Sequence, residues 1–372
     1  MKIAIHAADL DHDRIDGTRV YILNMLKKFG ELNKEISFTI YHRSNFNSRL
    51  TPPQLSNYSI KKLAFPSLWT QLRFALEIYK DNPDVLWMPM HNLPLLRRKK
   101  LKTVITIHDL AFKIFPEYFP RKDLLKLNNL TDYGIINSDR IIAVSHSTKK
   151  DILKFYPKIK EEKIHVVHHG FDKELFEKCI PEEVESDVLS EFKIKNSKFI
   201  LYVGALQPRK DLITLVKAFE KIKEKHPQMK LVLAGAPAWH AEGVLKKISD
   251  SMYRDDIIIT GTVGFDKIPV FYKNAAAFIF PSLYEGFGIP VLEAFASGVP
   301  TILADNSSLV EVGGDAACYF KTSNEKDLED KIEKVLSDET FRNGIIEKGK
   351  IRAGEFSWDK CSEKTLDILS NW

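Results

Sequence analysis

The feature that most constrains the fold is an alternation of short apolar runs with amphipathic helical segments, which occurs once in each half of the chain. The short apolar runs predict strands that are buried on both faces of a sheet. The predicted strands are residues 3–6, 36–41, 85–88, 104–107, 141–144, 165–167, 199–203, 231–234, 257–260, 277–280 and 301–303. The helices predicted between them include residues 18–29, 68–79, 124–136, 148–155, 212–225, 268–274 and 290–296. This alternation indicates parallel sheets that are covered by helices on both faces.

The length of the chain indicates two domains, because 372 residues exceed what one hydrophobic core usually organises. A polar, acidic stretch separates the two alternating halves and is predicted to be a linker. The predicted division is an N-terminal domain 1–177, a linker 178–198, a C-terminal domain 199–354 and a C-terminal helix 355–372 that returns to the first domain. We therefore expect an α/β protein with two Rossmann-like, doubly wound domains that face each other across a cleft. Ligands bind at the carboxyl ends of the strands in such folds.

The segment 280–298 has the pattern of a strand, a turn that contains glycine, and a helix with proline at its first position. Gly286 and Gly288 remove side chains at points where a ligand would touch the backbone. The amides of Phe287, Gly288 and Ile289 then lie at a helix N-terminus, which favours a phosphate group. The helix dipole alone contributes only about 0.3–1 kcal/mol, so further cations are expected nearby.

Two carboxylates flank this predicted phosphate site: Glu285 lies in the turn and Glu293 lies one turn into the helix. A carboxylate accepts two hydroxyl hydrogen bonds at once and therefore suits a vicinal diol, which both ribose and a hexose offer. Taken singly, each residue is equally well explained as an exposed carboxylate. The combination with the glycines and the proline favours a site for the two ends of a nucleotide sugar.

The run P-S-L-Y-E-G-F-G-I-P-V-L-E-A-F-A-S-G-V-P, with seven residues between Glu285 and Glu293, resembles the signature of family 4 retaining glycosyltransferases. The resemblance extends over nearly the whole chain and implies the GT-B fold, with the acceptor on the first domain and the nucleotide sugar on the second. It also implies transfer with retention at the anomeric carbon, no covalent nucleophile, and no metal ion or other cofactor. The string I-H-D-L is most similar to mannosyl-transferring members, which makes GDP-mannose the first choice of donor, ahead of UDP-glucose.

A second motif, which contains Gly204, Arg209 and Lys210, follows the first strand of the second half. Two cations on one loop can neutralise a diphosphate without a metal ion. The resemblance implies that this arginine and this lysine grip the donor diphosphate and stabilise the departing nucleotide. The alternative is an exposed basic turn in front of the next helix.

Strand ends in the first half carry three further candidates. His108 and Asp109 end an apolar strand, and Gly17 opens the first helix. The resemblance implies that His108 lies beside the transferred sugar with Asp109 adjacent, and that Gly17 lets its loop approach the donor phosphate. This chain has one glycine at a place where many relatives have two. Ser145 and Ser147 open another helix and are equally explained as N-caps.

Three patterns that point elsewhere are set aside. Asp11-His12-Asp13 matches a metal–diphosphate string of a different glycosyltransferase fold, but it follows the first strand of a Rossmann-like half, where an acidic loop is the simpler interpretation. His165, His168 and His169 have no carboxylate or thiol partner at a spacing familiar from zinc sites. A dinucleotide dehydrogenase would need a glycine-rich turn after the first strand, and no glycine occurs between Ile3 and Gly17.

Charge divides unevenly along the chain. Residues 1–180 hold 30 Lys and Arg against 20 Asp and Glu, whereas residues 181–372 hold 25 against 30. The basic half suits anionic lipid headgroups or a phosphorylated acceptor, and is also explained by solvated lysines; no nucleic-acid-binding module accompanies it. The three scattered cysteines and the lack of an apolar run of about 18 residues predict a cytoplasmic protein, peripheral at the inner face of the membrane.

The predicted function is transfer of a hexose from a nucleotide-diphosphate sugar to a saccharide or lipid-linked acceptor. Two other enzymes on the same fold stay open, a nucleotide-sugar epimerase and a sugar phosphorylase. A scaffold that binds nucleotide sugar without turnover is a third alternative, since folds are shared by proteins of different function.

Overall fold

A computed structural model of the protein describes residues 1–13 and 15–372 and divides the chain into two compact units. The first unit contains residues 1–114, 120–170 and 357–372, and the second contains residues 115–119 and 171–356. The strands are β1 (Lys2–His6), β2 (Ser37–His42), β3 (Tyr58–Lys62), β4 (Val85–Met88), β5 (Lys102–Ile107), β6 (Arg140–Ala143), β7 (Ile164–Val166), β8 (Lys198–Val203), β9 (Met229–Ala234), β10 (Ile257–Ile259), β11 (Ala277–Phe280), β12 (Thr301–Ala304) and β13 (Cys318–Phe320).

The α-helices cover the sheets and are numbered in chain order. They are α1 (Gly17–Leu32), α2 (Ala75–Asp81), α3 (Ala111–Ile114), α4 (Arg121–Asn137), α5 (His146–Phe155), α6 (Lys173–Glu177), α7 (Glu182–Glu191), α8 (Leu212–Lys225), α9 (Glu242–Ser249), α10 (Ile268–Asn274), α11 (Ile289–Ala296), α12 (Ser307–Gly313), α13 (Glu325–Ser337), α14 (Glu339–Ala353) and α15 (Trp358–Ser370). The short helical turns of other types are Ala8–Asp11, Thr70–Phe74, Pro116–Tyr118, Glu161–Lys163, Pro208–Lys210 and Arg254–Asp256.

The first unit is built on a seven-stranded sheet in the order β3-β2-β1-β4-β5-β6-β7, and every pair is parallel. The chain winds outward from β1 in one direction and then returns to place β4 on its other side. Such a reversal leaves a crevice at the carboxyl ends of β1 and β4, where loops diverge. The central strands are fully buried because helices cover both faces of the sheet.

The second unit repeats this plan in a six-stranded, all-parallel sheet with the order β10-β9-β8-β11-β12-β13. Its reversal lies between β8 and β11. The loops that leave the carboxyl ends of these two neighbouring strands therefore start side by side. Two doubly wound parallel sheets confirm the predicted fold class.

Two strands were missed by the sequence prediction, and both lie at the edge of a sheet. β3 is partly exposed along its length, so its residues lack a continuous apolar run. β13 has only three residues. The helix predicted over 68–79 is observed as the π-helical turn Thr70–Phe74, which continues directly into α2.

The segment 178–198, which was predicted to be a linker, contains α7 and belongs to the second unit. Its apolar residues Val188, Leu189 and Ile194 are buried, which explains why the segment packs as part of a domain. The chain passes from the first unit to the second between Gly170 and Phe171.

The C-terminal segment Ser357–Trp372 belongs to the first unit, where α15 packs against α1. Ser357 caps α15 by accepting a hydrogen bond from the amide of Lys360 at 3.1 Å. A side chain at Gly170 would place its Cβ 2.1 Å from the amide nitrogen of Trp358, so this close approach requires glycine. In the described part of the chain, no helix is both long and apolar enough to cross a bilayer.

Candidate functional site

The second unit brings two predicted motifs together at the reversal of its sheet. Arg209 and Lys210 lie on the short turn that follows β8, and residues 281–288 form the loop that follows the neighbouring strand β11. The two loops are tied by a backbone hydrogen bond from Leu283 to the carbonyl of Arg209 at 2.9 Å. Motifs separated by about 75 positions in sequence therefore share one site.

Glu285 is the centre of this site and is only 8% exposed. Its carboxylate accepts hydrogen bonds from the Lys210 ammonium and from the Arg209 guanidinium, whose Nη1 lies 3.2 Å from Oε2. Burial by itself would raise the pKa of Glu285, but the charges of Lys210 and Arg209 outweigh it and lower the pKa to about 2. The three side chains thus form a buried cluster of two cations and one anion with a net charge of +1. The interpretation of the two cations as an exposed basic turn is wrong, because Lys210 is buried and Arg209 is half-buried.

The turn after Glu285 leads into α11 through Gly288, whose φ of +105° requires glycine. A Cβ on Gly288 would also lie 3.2 Å from Leu309. Gly286 and Phe287 are buried, and Ile289 is the first residue of α11. The segment 286–289 therefore leads directly into a helix N-terminus beside the charged cluster, as predicted.

Two serines that the sequence analysis did not single out brace this turn from the start of α12. The hydroxyl of Ser307 accepts a hydrogen bond from the amide of Glu285 at 3.0 Å. The hydroxyl of Ser308 contacts the carbonyls of Glu285 and Phe287 at 2.9 and 2.8 Å. Ser307 adopts a φ of +45°, a strained conformation for a residue with a side chain. The one available signal was that both serines follow a predicted strand.

Glu293 is also buried, at 7% exposure, which rules out a surface position on its helix. The hydroxyl of Tyr272, on α10, donates a hydrogen bond to its carboxylate at 2.9 Å. Burial raises the pKa of Glu293 to about 7, because this single hydrogen bond and no paired cation stabilise its charged form. Tyr272 was hidden in an apolar helical pattern and could not be identified from the sequence.

Gly204 ends β8 with a φ of +148°, so its conformation and its position both match the prediction that backbone must pass closely here. The close neighbour is Gly235: a Cβ on Gly235 would lie 1.9 Å from the carbonyl oxygen of Gly204. Gly235 follows the adjacent strand β9 and was not predicted as part of the site. The pair keeps the loops after β8 and β9 in contact.

In the first unit, His108 follows β5 and is buried against aromatic rings. Its Nε2 lies 2.9 Å from the carbonyl of Pro89, and its Nδ1 lies 3.3 Å from Nε2 of His169. Because a carbonyl only accepts, Nε2 of His108 carries the proton and Nδ1 is the acceptor. Burial lowers the pKa of His108, which is therefore neutral at physiological pH. His169 was considered in the sequence only as a zinc ligand, and its contact with His108 was missed.

The other candidates of the first unit have local structural roles. Asp109 accepts a hydrogen bond from the amide of Ala111 at 2.9 Å and so caps α3. Gly17 is the first residue of α1, whose N-cap is Asp16. Ser145 caps α5 through the amide of Thr148 at 3.0 Å, as the N-cap interpretation predicted.

The acidic string near the first strand is also accounted for by local contacts. Asp11 accepts hydrogen bonds from the backbone amides of Arg43 and Ser44 at 2.8 and 2.7 Å and pairs with His42 at 3.1 Å. Its carboxylate therefore stabilises a loop.

Comparison with known proteins agrees with this geometry. The family model described as Glycosyl transferases group 1 matches residues 185–352, and the one described as Glycosyltransferase Family 4 matches residues 15–175. The O-antigen chain mannosyltransferase B of Escherichia coli is 26% identical over 95% of both chains. The O-antigen chain mannosyltransferase RfbU of Salmonella typhimurium is 26% identical over 72% of this chain and 69% of its own. The crystal structure of Anabaena HepE in complex with UDP and glucose superposes over the full length of both chains with a TM-score of 0.76 and 16% identity.

Two doubly wound units, with both family models in chain order, define a glycosyltransferase of the GT-B fold. The first model contains every site residue of the second unit, and the second contains Gly17, His108 and Asp109. The chain belongs to the family 4 glycosyltransferases, which confirms the resemblance seen in its sequence. It is an enzyme that transfers a sugar.

Proposed function

We propose that this enzyme transfers a hexose, with mannose as the first choice, from a nucleotide-diphosphate sugar to a saccharide or lipid-linked acceptor with retention of configuration. The observation that carries the proposal is the buried cluster of Arg209, Lys210 and Glu285 beside the N-terminus of α11. Its net positive charge suits a diphosphate, and its ionised carboxylate suits sugar hydroxyls. The E. coli and Salmonella relatives are both named as O-antigen chain mannosyltransferases, which favours mannose and a growing saccharide.

The donor is proposed to lie along the second unit in one orientation. Its diphosphate contacts Arg209, Lys210 and the first amides of α11, and its hexose hydroxyls donate to Glu285. The ribose diol donates to Glu293, whose buried carboxylate has only one observed hydrogen-bond donor among the described residues. Each end of the ligand thereby meets a carboxylate, and its charged middle meets the cations.

The reaction breaks the bond between the anomeric carbon and the phosphate oxygen, and the electron pair leaves with the nucleotide diphosphate. An acceptor hydroxyl oxygen bonds to the anomeric carbon, and its proton passes to the leaving phosphate. Arg209 and Lys210 stabilise the negative charge that grows on that phosphate, the type of electrostatic contribution that is usually largest in catalysis. Since these cations and the helix amides already stabilise that charge, we propose that no metal ion is required, and activity should persist in a chelator.

Thermal unfolding with a panel of nucleotide sugars tests the donor assignment. GDP-mannose at about 100 times its dissociation constant should add about 2.7 kcal/mol to the free energy of unfolding. UDP-glucose is the main competitor, because HepE was crystallised with UDP and glucose. Glu293→Ala should lose the shift, whereas Glu333→Ala, on the half-buried face of α13, should retain it. If no nucleotide sugar shifts the wild-type transition, the proposal is wrong.

Product analysis separates the alternatives. A glycosyltransferase releases nucleotide diphosphate in proportion to sugar joined to acceptor. An epimerase changes the sugar while it stays attached to the nucleotide, a phosphorylase depends on free phosphate, and a scaffold shows the thermal shift without any product. Either of the last three results would replace the proposed reaction.

A further inference from the structure

An exposed apolar stripe runs along the helical segment 70–81 of the first unit, which combines the π-helical turn with α2. Leu72, Leu76 and Tyr79 are all exposed and are separated by four and three residues. At 3.6 residues per turn these side chains lie within an arc of about 60°, on one side of the helix. The opposite side packs into the core through Phe74, Ala75 and Ile78. The helix therefore presents apolar side chains both to the core and to the solvent.

A loop extends the apolar stripe sideways. The amide of Leu95 donates to the Gln71 side chain at 2.9 Å, and Nε of Arg98 donates to the carbonyl of Tyr79 at 2.8 Å. Residues 95–98 thus lie alongside the helix from its first turn to its last. Leu95 and the next residue, Leu96, are 62% and 47% exposed.

Together with Leu68, which is 66% exposed just before the helix, six large apolar side chains form one surface, here termed the apolar face. They are Leu68, Leu72, Leu76, Tyr79, Leu95 and Leu96. Single exposed leucines are ordinary on a protein surface, but a contiguous group of this kind marks an interaction site.

The apolar face has a cationic border. Lys80, Arg98, Lys99 and Lys100 are exposed, and the Arg98 guanidinium lies 4.7 Å from the centre of the Tyr79 ring. Within residues 1–13 and 15–372, no carboxylate lies within ion-pairing distance of the three lysines.

The acidic residues of the same helix are occupied elsewhere. Glu77 pairs with Arg73 at 2.6 Å and with Lys61 at 3.4 Å, and Asp81 pairs with Lys61 at 2.6 Å. Their charges are neutralised within the unit, so the border of the apolar face keeps an excess of positive charge.

We propose that the apolar face docks the first unit onto an anionic membrane surface. Its leucines and Tyr79 would enter the boundary between headgroups and acyl chains, while Lys80, Lys99 and Lys100 contact lipid phosphates. Charge complementarity selects this occupant: a membrane supplies both an apolar layer and a continuous sheet of negative charge. The inference goes beyond the proposed function, since docking needs neither donor nor acceptor, and it assigns a membrane site to particular residues.

Flotation of the full chain with lipid vesicles tests the proposal. The protein should float with vesicles of phosphatidylcholine and phosphatidylglycerol, and not with vesicles of phosphatidylcholine alone. Leu72→Ser with Leu76→Ser should weaken binding by more than tenfold, because burial of each leucine is lost. Lys99→Ser with Lys100→Ser should weaken it by about 25-fold, since each basic residue near an anionic surface contributes about fivefold.

Matched variants control for exposure and for net charge. Met252→Ser with Ile351→Ser removes two apolar residues that are at least as exposed, and Lys158→Ser with Lys160→Ser removes two exposed lysines of the same unit. Both controls should bind vesicles as the wild type does. Equal losses in controls and test variants would overturn the proposal, because binding would then follow overall composition and not this surface.

Two other results would also overturn it. One is absence of flotation for the wild type with anionic vesicles. The other is a dimer in sedimentation without lipid that Leu72→Ser with Leu76→Ser converts to monomer, because a second copy of the chain would then cover the apolar face. Neither result affects the thermal shift with nucleotide sugar, so failure of docking is distinguishable from failure of the donor assignment.

Discussion

The two sheets of this enzyme have the same winding plan, yet the residues at their carboxyl ends differ in chemistry. In the second unit the site is charged: Glu285 is ionised between Arg209 and Lys210. In the first unit His108 is neutral and is held by a carbonyl, a second imidazole and the edge of Tyr21. Sheet topology therefore determines where a site forms, and the side chains on the loops determine what it does.

The difference also shows how buried charge is tolerated. The charges at Glu285 are paired with opposite charges at hydrogen-bonding distance, which offsets much of the cost of desolvation. The first unit meets the same cost by keeping its histidines neutral, as burial lowers the pKa of His108 and brings that of His91 to about 4. Catalytic electrostatics are thus expected to reside in the second unit.

The largest effect is expected for Arg209→Ala, which removes a cation from the charged site. Loss of one group that stabilises transition-state charge typically lowers kcat by about 10²–10³-fold. Steady-state kinetics with saturating donor would measure this fall. Arg254→Ala, at an exposed arginine of the same unit, should leave kcat unchanged. A variant at Arg209 with nearly full turnover would reject the catalytic role and remove the basis of the comparison.

A smaller effect of unusual sign is expected for Glu293→Gln. Its folded pKa of about 7 exceeds the ordinary value of 4.5, so its stabilising contribution is complete below pH 4.5 and is lost as pH rises through 7. The glutamine variant avoids ionising a buried carboxyl, and at pH 8 it should gain up to about 3 kcal/mol over the wild type relative to pH 4.5. Denaturant unfolding at several pH values measures this. Donor binding should nevertheless be lost.

Glu285→Gln is the matched control, because the pKa of Glu285 is lowered to about 2. A lowered pKa contributes stability above pH 4.5 that is lost as pH falls toward 2, so this variant should be less stable at neutral pH. If both glutamine variants changed stability in the same direction at pH 8, the contrast between the two carboxyl groups would be wrong.

The sequence predicted the parts of this site that depend on chain-local patterns. Alternation of strands and helices identified both sheets, and the run that contains Glu285 and Gly288 identified the turn before α11. Placement of Arg209 and Lys210 after β8 was also visible, because the motif follows a strong apolar strand. These signals lie within about 20 residues of each other, so no tertiary information is needed to read them.

The sequence could not reveal contacts that depend on the order of strands in the sheet. Ser307 and Ser308 support the turn of Glu285 only because β12 lies next to β11. Tyr272 reaches Glu293 from another helix, and its hydroxyl cannot be distinguished from a core aromatic by spacing. The predicted linker failed for a related reason: its polar composition conceals a few apolar residues that the second unit buries.

The smallest effect is expected for His108→Gln, although the resemblance implies that His108 lies beside the transferred sugar. A glutamine amide can keep the donor to Pro89 and an acceptor for His169, and the neutral imidazole has no charge to lose. General acid–base catalysis contributes about 10²–10⁴-fold, so kcat should fall by clearly less than 10². The pH profile of kcat/KM should also lack a step near 6.5 that this variant removes. His226→Gln, at a half-exposed histidine of the second unit, is the control. A fall of 10² or more, or loss of such a step, would place proton transfer in the first unit and make the two sheet ends partners in the chemistry.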